Sequence, residues 1–138
     1  MISNPMQQTI RDNIAKFGWH AQEVFPTPDD PGYPFTYTIG LTDKGHPELI
    51  VFGLPGDAAH KVLIAALWKL EHGEVKEGEL TDEILRRYPV VFRELPADKA
   101  AEDHTFQAAV YYGRPVRFMQ IIWPDRAGRF PWHPDCDP

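Results

Sequence analysis

The run Glu48-Leu-Ile-Val-Phe-Gly53 constrains this chain more than any other segment. It is apolar on both faces after its first residue, which suits a strand covered on both sides and marks it as the centre of a sheet. Other elements arrange themselves around it. Trp19 to Phe25 and Phe35 to Leu41 read as two preceding strands, separated by Pro26-Thr-Pro-Asp-Asp-Pro-Gly32, a loop dense in turn formers. Val90-Val91-Phe92 and Val116 to Trp123 supply two more.

Helical spacing fills the gaps. Ser3 or Asn4 caps a helix with Pro5 at its first position, and Met6, Ile10, Ile14 and Phe17 recur on one face until Gly18. After Leu54-Pro55-Gly56, Asp57 caps a second helix whose buried stripe is Val62, Leu63, Ala66, Leu67 and Leu70, stopping at Gly73. The acidic stretch from Glu74 to Arg87 is weakly patterned and reads as a loop with a short helix after Thr81. Asp98 to Tyr112 reads as a third helix closed by Gly113, and residues 124–138 form a proline-rich strap that packs Phe130 and Trp132 over the domain. The order predicts a single α+β domain over 1–138: a mixed, mainly antiparallel sheet of about five strands with flanking helices.

Length and charge bound the function. At 138 residues with 43% apolar and 12% aromatic content, the chain suits one folded core. A net charge of −6 disfavours broad nucleic-acid binding, which needs a Lys/Arg surface; Arg86-Arg87 and Arg126/Arg129 are the only candidate basic patches. No apolar stretch approaches the length of a membrane span and no secretory leader is evident. The lone Cys136 forms no internal disulfide, so a cytoplasmic setting is expected.

Short connections make the first three strands antiparallel neighbours, which brings His20, Gly40 and His46-Pro47-Glu48 to one sheet edge with Tyr37 nearby. A histidine with a glutamate serves as general base and orienting acid, or as two ligands of a metal site whose third is Asp125. Taken singly, each has a simpler reading: His20 as a partly exposed strand histidine, and Glu48 as an acceptor for the amides of the preceding turn. No H-x-H, H-E-x-x-H or paired C-x-x-C spacing occurs, so no metal or cofactor is assigned. Cys136 has no local group that would stabilise a thiolate, and Trp68 and Tyr111-Tyr112 read as core aromatics.

A second candidate is the Gly53-Leu-Pro-Gly56-Asp57 junction with His60 one turn into the helix, where free amides suit an anion but Asp57 repels one. Six residues at about 3.3 Å separate it from the first site by about 20 Å, too far for one small ligand. Asp125 joins His20 and His46 if the last strand runs antiparallel to the central one, and Gly56 and His60 if it runs parallel.

Gly18-Trp19-His20, Tyr37-Thr-Ile-Gly40-Leu41, His46-Pro47-Glu48, Phe52-Gly-Leu-Pro55, Tyr111-Tyr-Gly113, Gln120-Ile-Ile-Trp-Pro-Asp125 and Gly128-Arg-Phe-Pro-Trp132 together resemble an uncharacterised bacterial family, DUF4262. The resemblance implies a small soluble bacterial or phage protein, some relatives continuing past Pro131-Trp132, and it brings no activity, cofactor or catalytic residue. The sequence therefore favours a binding or regulatory domain whose small-molecule or protein partner meets the edge carrying His20, Tyr37, Gly40, His46 and Glu48. The alternative is a hydrolase using His20 or His46 with Glu48 or Asp125, with or without a divalent metal. A third possibility is a homo-oligomer acting through its interface.

Overall fold

The run that opens the argument lies where its apolarity demands. In the computed structural model, which describes residues 5–25, 28, 34–54, 56–74, 80–81, 90–95 and 105–123, Glu48–Phe52 forms β3, with strands on both sides. The other strands are β1 (His20–Val24), β2 (Phe35–Ile39), β4 (Leu80–Thr81), β5 (Val90–Leu95) and β6 (Phe118–Ile122). Among the described residues the α-helices are α1 (Pro5–Phe17), α2 (Gly56–Glu71) and α3 (Phe106–Tyr112). The protein is a small α+β domain, as its element order predicts.

The six strands among the described residues make one mixed sheet in the order β1-β2-β3-β6-β5-β4. The pair β3–β6 is parallel and the other four are antiparallel. One more strand is present than the sequence suggests. Leu80–Thr81 pairs with Val90 and Val91 inside a stretch with too little apolar pattern to register as a strand. The short helix expected after Thr81, the early part of the helix expected from Asp98, and the C-terminal strap lie outside the described residues.

Alternation along β3 sends side chains to two cores. Leu49 and Val51 join the stripe of α2, where Val62, Leu63, Ala66, Leu67 and Leu70 are all buried, together with Phe92 and Ile121. Ile50 points the other way, to a second cluster with Ile10 of α1, Tyr37, Ile39, Ala108 of α3 and Phe118. Tyr37 and Phe118 meet there edge-on at 5.7 Å. The apolar face of α1 is only partly covered: Ile10 is fully buried, but Met6 and Phe17 at its two ends are exposed. Trp68, expected in the core, is 54% exposed and instead stacks on His72, just past the end of α2, at 3.9 Å.

Because Leu63 is completely buried between α2 and the sheet, Leu63→Ala is expected to lower unfolding stability by about 2–5 kcal/mol. Urea denaturation measures it, and a loss below about 1 kcal/mol would mean that α2 does not pack as described.

Candidate functional site

β2 and β3 pair as far as Tyr37 and Ile50, and beyond that point the ladder opens. Thr38 Oγ1 accepts the Leu49 N–H at 2.9 Å where a strand carbonyl would otherwise lie. Into this opening goes the Glu48 carboxylate, fully buried. Its Oε1 accepts from Thr38 Oγ1 at 2.8 Å and Leu41 N at 3.2 Å. Its Oε2 accepts from Thr42 N at 2.8 Å, Thr42 Oγ1 at 2.7 Å, Tyr112 Oη at 2.7 Å and Gly40 N at 3.3 Å. The negative charge is balanced by six aimed dipoles.

Gly40 is held as firmly. Its φ of +125° suits glycine, and a Cβ there would stand 3.1 Å from both the Gly18 carbonyl oxygen and the Trp19 Cα. Its N–H is shared between Glu48 and Tyr112 Oη, the latter at 2.8 Å. Tyr37 is 1% exposed, and backbone groups of Gln107 and Ala108 meet its hydroxyl. Burial pushes that hydroxyl up to about 12. Burial first, and then the Glu48 charge, also raises Tyr112 above its ordinary value.

His20 is buried against α1. Asn13 Nδ2 donates to its Nδ1 at 2.8 Å, which leaves the proton of a neutral ring on Nε2, donating to Gln22 Oε1 at 3.0 Å. His46 is half-buried at the end of the turn, where its backbone N–H bonds the Leu41 carbonyl at 3.1 Å. The topology thus gathers His20, Gly40, His46 and Glu48 at one end of the sheet, but among the described residues neither histidine touches the Glu48 carboxylate. The modest alternative for Glu48, an acceptor of turn amides, is what the geometry contains. Asp125 lies outside the described residues. The strand direction on which its placement turns is parallel, and Trp123 closes β6 beside β3's far end, its Nε1 donating to the Phe52 carbonyl at 2.8 Å. Among the described residues no group of three His, Cys, Asp or Glu side chains is placed to hold a metal ion.

Open space lies elsewhere, along edge strand β1. A cleft of about 520 Å³ runs between the end of α1 (Asn13, Phe17) and the outer side of α2 (His60, Ile64), with Trp19, His20, Ala21 and Glu23 between them. The 20 Å measured along β3 does not keep His20 and His60 apart, because α2 folds back over the sheet and returns His60 towards the start of β1. There the His60 ring stacks on Trp19 at 5.4 Å. Glu23, further along β1, reaches the first turn of α2, and its Oε1 lies 2.7 Å from where a Cβ on Gly56 would stand. The chain's own carboxylate thus stands beside this helix start. Sequence reasoning had His20 and His60 as parts of separate sites and missed Phe17, Glu23 and Ile64. The available signal was the four-residue spacing of His60 and Ile64, off the buried stripe of α2.

The fold and this cleft define a small α+β domain with a recess along the β1 side of the sheet. The chain belongs to the family described as "Domain of unknown function (DUF4262)", which matches residues 13–137. No curated protein and no solved structure matches it.

Two outcomes test the Glu48 cluster. Glu48→Ala strands buried amides and is expected to cost roughly 3 kcal/mol or more, whereas Tyr112→Phe removes one donor and costs about 1–2 kcal/mol; equal effects in denaturant titrations would contradict the cluster. Tyr37 and Tyr112 also predict alkaline sensitivity. Both hydroxyls titrate higher folded than unfolded, so their contribution is intact below pH 10 and declines above it, through about 12 for Tyr37. Melting temperatures should fall more steeply over that range in the wild type than in Tyr37→Phe/Tyr112→Phe.

Proposed function

We propose that this chain is a ligand-binding domain, working in a bacterial or phage cytoplasm, whose site is the cleft over β1. The observation that carries the reading is the convergence of His60, Trp19 and Glu23 with apolar walls in a recess of about 520 Å³, a size and lining typical of small-ligand sites. These groups retain bonding capacity: among the described residues the side chain of Glu23 makes no hydrogen bond or ion pair, and His60 has only its ring contact with Trp19. His20 contributes a wall whose ring nitrogens are already satisfied. The proposal keeps the sheet edge and His20 but moves the site from Glu48 to the side of β1 that faces α2. A hydrolase built on Glu48 gains no support, since that carboxylate is enclosed and saturated.

A fragment screen read by ¹⁵N NMR tests this directly. Shifts are expected to concentrate on Phe17–Glu23 and on His60 and Ile64, and His60→Ala should weaken the hits about tenfold while leaving the rest of the spectrum in place. Hits gathering elsewhere, or indifferent to His60→Ala, would overturn the assignment.

A further inference from the structure

Resting on that cleft reading, we infer that its ligand is an organic cation: an ammonium or guanidinium group carried on an apolar stem. The argument begins with charge. Among the described residues that line the cleft, Glu23 is the one acidic group and there is no lysine or arginine. Of the nearby lysines, Lys16 Nζ lies 5.2 Å from the Phe17 ring centroid, and Lys44 Nζ would stand 3.0 Å from a Cβ on Gly18. Among the described residues Glu23 forms no ion pair, and its carboxylate stands beside the start of α2 at Gly56.

A neutral ligand filling the recess would strip water from this carboxylate without replacing the lost interaction, which is costly. An anion would meet Glu23 directly, and then Asp57 in the first turn of α2. A cation gains at both levels. Its N–H groups donate to Glu23, and the chain's net charge of −6 draws it in from solution. The exposed faces of Phe17 and Ile64 then give an alkyl stem an apolar surface to lie on, and the His60 ring, stacked on Trp19, offers a further acceptor lone pair at the cleft's rim.

The probes are n-pentylammonium, Nα-acetyl-lysine-N-methylamide and Nα-acetyl-arginine-N-methylamide, set against the neutral Nα-acetyl-norleucine-N-methylamide. The readout is the Trp19 indole ¹⁵N–¹H cross-peak, assigned with Trp19→Phe. Saturable shifts with the cations, at least tenfold tighter than with the norleucine derivative, are expected. In Glu23→Gln, whose exposed side chain leaves the fold intact, that preference should disappear. Equal affinity for pentylammonium and the lysine derivative identifies a free amine as the ligand type, and a tenfold gain for the amino-acid derivatives identifies a basic side chain of a peptide. If norleucine binds as tightly as lysine, or Glu23→Gln changes nothing, the cation assignment is wrong while the cleft stands. If no probe, cationic or neutral, moves the Trp19 cross-peak, both fail.

Discussion

A buried carboxylate that has no cationic partner among the described residues holds the heart of this domain together. Glu48 enters the sheet at the first position of the central strand, the one polar residue before an apolar run, and its charge is tolerable only because six donors converge on it. Those donors come from the end of β2, the turn that follows, and α3. One side chain therefore fixes where β2 stops, how the turn through Leu41 and Thr42 folds back, and where α3 docks. Removing it would leave amides buried without acceptors, a larger penalty than losing any single donor.

The consequences reach the edge of the sheet. Gly40, pinned by Glu48 and Tyr112, sits against the backbone of Gly18 and Trp19, close enough that no side chain fits between. That contact seats the junction between α1 and β1, which in turn presents Trp19 to His60 and Phe17 to solvent. A rigid interior thus supports an open rim. The groups still able to bond a ligand, Glu23 and His60, stand on this rim rather than in the core.

Much of this was legible in the residues. The both-faced apolarity of 49–52 announces a central strand, the stripe from Val62 to Leu70 announces α2, and both lie as expected because burial decides them. Thr81 and its neighbour Leu80 escaped, since a two-residue strand carries no period. Gathering His20, Gly40, His46 and Glu48 at one sheet end was also within reach, because short connections dictate antiparallel neighbours. What spacing could not reveal was how Glu48 is used. Whether a carboxylate faces a ligand or the amides of its own turn depends on backbone direction over a few residues, which residue identity does not encode. The cleft was hidden for a related reason: Glu23 and His60 are far apart in sequence and meet only once α2 has folded back over the sheet.

The central claim is that Glu48 serves the structure and not a ligand. Native-state hydrogen exchange at the Gly40, Leu41 and Thr42 amides tests it most directly, because turn amides that face solvent exchange rapidly whereas amides bound to an enclosed carboxylate open only with the surrounding core. Protection matching that of the β3 amides is the predicted result. Exchange at the rate of a freely exposed turn would mean that Glu48 is not enclosed by those donors, and would return it to the candidates for ligand or substrate contact.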